Sequence, residues 1–112
     1  MRIIYTKSYD KGLKKLKKYN EELKRLNKII NIIEYSSNFN ELCNLPIVKL
    51  YNFERLKYML NDYYSFNLNK NGGKIRLIIR PNTDNEVELF LVFISFDHYE
   101  DFDKGKVIYY DE

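Results

Sequence analysis

Residues 95–102 read SFDHYEDF and hold the single histidine of the chain, His98, with Asp97, Glu100 and Asp101 around it. Three kinds of chemistry fit such a cluster. Carboxylates beside an imidazole favour its protonated form, which would make His98 a general acid or base that stays charged near neutrality. Asp97, His98, Glu100, Asp101 and Asp103 could instead offer ligands to a cation, although their spacing matches no standard pattern and a second histidine is missing. In the third reading the acids cap a helix beginning at Asp97, with Glu100 in its first turn and His98 solvated. The other chemical candidate is Arg76, in KIRLIIR at 74–80. Alternation there sets Ile75, Leu77 and Ile79 on one face and Arg76, Ile78 and Arg80 on the other. If the following loop closes a hairpin symmetrically about Thr83, Arg80 faces Glu86, Ile78 faces Glu88 and Arg76 faces Phe90. Arg80 then has a cross-strand ion pair. Arg76, opposite an apolar partner, is left with a diagonal pair to Glu88, a snorkelling position at the sheet rim, or a function. There is no phosphate-binding glycine loop and no nucleophile elbow, since Gly72-Gly73 followed by a strand reads as a hairpin turn.

The elements that must position these residues follow from periodicity. Arg2–Tyr5 is a short apolar strand. Ser8 offers a helix N-cap, with Asp10 in the first turn where the helix dipole favours an anion. Leu13, Leu16, Tyr19, Leu23, Leu26, Ile30 and Ile33 then form one helical stripe, with Lys14, Lys15, Lys17, Lys18, Lys24, Arg25 and Lys28 largely off it. Asn20-Glu21-Glu22 could cap a second helix and divide the segment into a helical hairpin. The stripe stays in phase across Asn20, so one long helix fits equally. YSSNFN (35–40) breaks the pattern, Pro46 limits any helix before it, and NFERLKYML (52–60) reads as a short amphipathic helix. The period then changes. YYSFNLN alternates Tyr64, Phe66 and Leu68 against Ser65, Asn67 and Asn69, as a strand with one wet face does. NKNGG is a turn, KIRLIIR a strand and PNTDN a loop. EVELFLVFISF (86–96) has the apolar run of a strand buried on both faces, and KVIYYDE closes with a possible strand. Helices grouped before hairpin-linked strands indicate an α+β fold, with an N-terminal strand and helical hairpin on one face of a mostly antiparallel four- to five-stranded sheet.

With 112 residues, 45% of them hydrophobic and 31% charged, residues 1–112 form one globular domain. Cys43 is the only cysteine, which excludes a disulfide framework and a cysteine metal site and fits a reducing compartment. The apolar run at MRIIYTKSYDKG is too short for a signal peptide, and no stretch approaches membrane-spanning length, so a cytoplasmic protein is expected. A net charge of +3 conceals a gradient: residues 1–28 carry ten Lys/Arg against three Asp/Glu, and residues 84–112 carry two against nine. The basic part suits a polyanion or an acidic partner, unless its lysines only solvate a helix face.

The order of these motifs resembles the RelE/ParE superfamily of toxins from type II toxin–antitoxin pairs. The likeness covers nearly the whole chain: a short strand into SYDKGLKKL, a second helical segment, then ERLKYML, YYSFNLN, KIRLIIR and VELFLVFISFDHYEDF. YYSFNLN carries the family's Ser-x-x-Leu-Asn strand, and KIRLIIR its Arg-Leu-Ile strand. The resemblance to RelE, YoeB and HigB implies a metal-independent endoribonuclease, an mRNA interferase that cuts mRNA in the ribosomal A site without a cofactor. There the RNA's own 2′-hydroxyl is the nucleophile, and the products are a cyclic phosphate and a free 5′-hydroxyl. Such chemistry needs a base, a cation for the transition-state charge and an acid for the leaving oxygen. The family's strand arginine matches Arg76, and its C-terminal acid or base matches His98. Tyr99 or Phe102 would orient or stack, Arg80 would hold a neighbouring phosphate, and Lys57 and Lys74 would add charge. The implied partners are ribosome, mRNA and a cognate antitoxin, with no membrane. Asn67 stands where some members carry a charged residue, and the acidic run at 97–103 is unusual beside a phosphate site. These departures leave two alternatives open: a ParE-like toxin that inhibits DNA gyrase without cleaving RNA, and an inactive homologue that binds only antitoxin.

Overall fold

A computed structural model describes residues 1–57, 60–69, 74–95, 98–99 and 108–109, the last two pairs through their backbone only, as also Ile94 and Ser95. Strand β1 (Arg2–Tyr5) leads into helices α1 (Lys7–Leu16) and α2 (Asn20–Tyr35). A short helix α3 (Phe39–Asn44) and a 3-10 helix (Pro46–Tyr51) follow. The strands are β2 (Glu54–Arg55), β3 (Tyr64–Asn67), β4 (Ile75–Thr83), β5 (Glu86–Ser95), β6 (His98–Tyr99) and β7 (Ile108–Tyr109). The class is α+β. Strands β2-β3-β4-β5 run antiparallel in that order, and β1 joins the outer side of β5 in parallel, with Arg2 opposite Glu86 and Tyr5 opposite Leu89. The sheet is therefore mixed. Farther along β5, Ser95 and Ile94 pair with His98 and Tyr99 of β6.

The helical segment is divided in two. Tyr19 N–H donates to the Leu16 carbonyl at 2.8 Å, which closes α1 and lets α2 begin at Asn20. The N-cap of α1 is Thr6 rather than Ser8. Its hydroxyl accepts from Tyr9 N–H at 3.1 Å and donates to the Leu89 carbonyl at 2.7 Å, so one side chain starts the helix and ties it to β5. Gly12 lies flush on that strand: a methyl group there would come within 2.6 Å of the Leu91 carbonyl oxygen. Leu16, Leu26, Ile29 and Ile33 pack with Phe66, Leu77, Ile79, Leu89 and Leu91 into the main core. Tyr9 is 6% exposed, and its ring lies 4.9 Å from that of Tyr5. Burial first, then the neighbouring Tyr5 and Asp10, push its hydroxyl pKa up to about 12. Among the described residues no helix is long and apolar enough to cross a membrane.

Three sequence expectations are corrected. Glu54–Arg55 is a strand paired with β3, not part of a helix over 52–60. Asn52 adopts a left-handed conformation (φ 54°, ψ 44°) that ends the 3-10 helix, and Leu56 N–H then donates to the Tyr63 carbonyl across the turn. Secondly, the far face of the sheet is not wet. Leu56, Leu60 and Tyr63 cover it and pack with Ile78, Phe90 and Val92 as a second core, which explains why Ser65 is wholly buried. Thirdly, β4 continues through Pro81 to Thr83 with an irregularity before the turn at Asp84-Asn85, so Arg80 faces Glu88, Ile78 faces Phe90 and Arg76 faces Val92. The register differs by two residues from a hairpin centred on Thr83, and every side chain keeps its expected face.

Candidate functional site

The second face of the sheet carries the polar candidates. Cross-strand rows run Asn67–Arg76–Val92 and Ser65–Ile78–Phe90, with Glu54 opposite Ser65 on the outer side of β3. Glu54 is thus a diagonal neighbour of Arg76 across the sheet. Its carboxylate lies 3.5 Å from Arg76 Nη1, with Arg76 17% and Glu54 52% exposed. A guanidinium this far out of water requires a partner, and a half-exposed carboxylate can supply one while keeping an oxygen open to solvent. The expected diagonal partner, Glu88, is engaged elsewhere.

Arg80 is committed to the fold. Its Nε and Nη2 donate to one oxygen of Glu88 at 2.9 and 2.6 Å, and Nη1 donates to the Tyr63 hydroxyl at 3.0 Å. Its guanidinium also lies 5.4 Å from the Tyr63 ring centre and 5.8 Å from that of Phe90. The expected ion pair exists, to Glu88 in place of Glu86. Lys57, beyond β2, and Lys74, just before β4, are both exposed.

His98 and Tyr99 form a strand paired antiparallel with Ser95 and Ile94, which overturns a helix running through them; Asp97 and Glu100 lie outside the described residues. Along β5, Glu88, Phe90 and Val92 share the face of Arg76, and Ile94 continues that set by alternation. Backbone register therefore sets Tyr99 in line with the Arg76 face and His98 with the helix-facing set of Leu89, Leu91 and Phe93. The side chains of His98 and Tyr99, and the whole of Phe102, lie outside the described residues. Among the described residues no group of three or more His, Cys, Asp or Glu side chains could hold a metal ion; most of the acidic run at 97–103 lies outside them.

Glu54 is the residue that sequence reasoning missed. Two residues of strand are too few for alternation to reveal, and Leu56 and Leu60 imitate helical spacing. Chemically, a water-accessible carboxylate beside a shielded guanidinium can accept a proton while the cation stabilises a developing negative charge. No protein-family model matches the chain, and no curated protein is significantly similar to it.

Proposed function

We propose that the chain is a toxin of the RelE type, a ribosome-dependent endoribonuclease that needs no metal. The Glu54–Arg76 pair is the observation that supports this reading most directly. In the proposed reaction the Glu54 carboxylate takes the proton of the RNA 2′-hydroxyl, and the freed 2′-oxygen attacks the adjacent phosphorus. The P–O5′ bond breaks, leaving a 2′,3′-cyclic phosphate. Arg76 stabilises the extra negative charge of the transition state by charge-assisted hydrogen bonds. The 5′-oxygen leaves with a proton from the β6 strand, for which Tyr99 is the better aligned position by register and His98 the stronger acid near neutrality. The exposed lysines of α1, α2 and the turn between them, including Lys11, Lys14, Lys15, Lys18, Lys24 and Lys28, would hold ribosomal RNA by counterion release. An antitoxin would cover the same basic surface.

One observation favours a second reading. Both strand arginines are neutralised within the fold, Arg76 by Glu54 and Arg80 by Glu88, and a ParE-like gyrase inhibitor needs neither of them for catalysis. Expression of the wild type, Arg76→Ala, Glu54→Gln, His98→Ala and Tyr99→Phe in bacteria separates the two. The expected result is growth arrest with codon-positioned cuts bearing 5′-hydroxyl ends, reduced about a hundredfold or more in Arg76→Ala and Glu54→Gln. Growth arrest with intact transcripts and altered plasmid supercoiling overturns the nuclease reading in favour of the gyrase one.

A further inference from the structure

Arg25 lies on α2, in the opposite layer from Glu54 and Arg76, yet its contacts lead to both. Its Nε–H donates to the Asn67 carbonyl at 2.9 Å, and Nη2 donates to the Leu50 carbonyl at 2.9 Å. The guanidinium is stacked 4.6 Å from the centre of the Tyr51 ring. Asn67 is the direct cross-strand partner of Arg76. Leu50 lies four residues before Glu54, and the intervening chain turns at Asn52 and is pinned by Phe53, whose ring stacks on Tyr64 at 5.6 Å and meets Phe66 at 4.5 Å. One planar, forked cation thus grips the main chain of the strand beside Arg76 and of the segment that leads into Glu54.

We infer that Arg25 is a positioning residue for the Glu54–Arg76 pair, an inference that rests on the nuclease reading for its catalytic meaning. Helix α2 packs on the core through Leu26, Ile29 and Ile33, all fully buried, and not through Arg25. Both of Arg25's hydrogen bonds leave α2, for carbonyls of the 3-10 helix and of β3. The segment from Leu50 to Glu54 is also held by the Phe53 ring contacts, by the Asn52 and Phe53 N–H groups donating back to the Lys49 and Val48 carbonyls, and by the pairing of Glu54 with Ser65. The two carbonyl bonds from Arg25 add a direct tie to α2. They help set where β2 begins and so where the Glu54 carboxylate stands against Arg76. Lysine cannot replace this geometry in full, because a single ammonium lacks the planar fork that reaches both carbonyls and stacks on a ring.

The test uses the Arg76 Nε–H resonance of the full chain by NMR, assigned by its loss in Arg76→Lys, so that it stands even if no RNA is cut. Arg25→Gln is expected to shift this resonance and to speed its exchange with water several-fold, with Arg25→Lys between Gln and wild type. Leu13→Ala, a half-buried change on α1 away from the clamp, serves as the control for general loosening and is expected to leave the resonance in place. In ribosome-programmed cleavage, Arg25→Gln lowers kcat by about ten- to a hundredfold with little change in KM, as loss of alignment without loss of a substrate contact requires. An unchanged Arg76 resonance in Arg25→Gln, or an equal change in Leu13→Ala, overturns the positioning role. A wild type that cuts no mRNA overturns the nuclease reading and leaves the clamp to be decided by the resonance alone.

Discussion

Arg76 and Arg80 share one face of one strand, two residues apart, yet their surroundings assign them different work. Arg80 meets the Tyr63 hydroxyl and the Tyr63 and Phe90 rings inside the fold, and its carboxylate partner is itself 19% exposed. Removing Glu88 strands a half-buried guanidinium, so Glu88→Ala is expected to cost about 2–3 kcal/mol of stability. Glu54 is 52% exposed, water can replace it, and Glu54→Gln is expected to cost less than about 1 kcal/mol. Urea denaturation of the two variants checks the contrast; equal losses would mean that Arg76 depends on Glu54 as a structural partner. Tyr9 provides a pH signature at the same scale. Because its pKa is raised in the folded state, the phenol contributes stability that is fully present below about pH 10. That contribution is lost as pH rises towards about 12, by which point the loss amounts to roughly 2 kcal/mol. Tyr9→Phe should flatten the alkaline limb of a stability–pH curve between these values, and an unchanged limb would place the buried titration elsewhere.

At the scale of elements, α1 and β5 are fitted through two small residues. Gly12→Ala would gain about 1 kcal/mol of helix propensity, but its methyl meets the Leu91 backbone and side chain below 3 Å. A net loss of about 1–3 kcal/mol is expected, because backbone oxygen cannot move aside as a flexible side chain can. A parallel thermal melt of Lys11→Ala, an exposed change one residue away, should show almost no shift. Thr6→Ala removes the α1 cap and the bond to Leu89 together, for about 1–2 kcal/mol. These elements also show what the sequence could reveal. Strand β1, the two-sided burial of β5, the faces of β4 and most of the apolar stripe of α1 and α2 were legible because each repeats a period, although Tyr19 of that stripe is 40% exposed and Ile29, off it, is buried. The register of β4 on β5 was not legible, since Pro81 and Asn82 read as loop while the structure keeps them in the strand through an irregularity. Helix 52–60 was wrong for a related reason: Leu56 and Leu60 sit four apart for a tight turn over the sheet, and nothing local separates that from one helical face. Arg76 was found as a residue with an unexplained position. Its partner Glu54 was hidden inside the misread segment, and the clamp at Arg25 joins residues 42 apart in sequence.

Over the whole molecule the basic end of the charge gradient falls on the helices. Among the described residues the lysines of α1 and α2 are exposed on the helical layer, whereas Glu86 and Glu88 are paired with Arg2 and Arg80. Binding of an RNA oligonucleotide should therefore weaken steeply with salt. Replacing Lys11, Lys14, Lys15 and Lys18 by Gln is expected to reduce the slope of log K against log salt by about 3 if all four meet phosphates. A slope unchanged by the substitutions would move the polyanion surface away from the helices.

The parallel pairing of β1 with β5 has a further consequence for synthesis. Tyr5 has no strand to join until Leu89 has been made, and the hydroxyl that starts α1 waits for the same carbonyl. At ordinary elongation rates that interval lasts roughly 4–17 s, and neither β1 nor the seat of α1 can assemble during it. The fold would thus remain unassembled beside the ribosome that makes it until most of the chain has been translated, an interval in which any binding partner would meet an open chain.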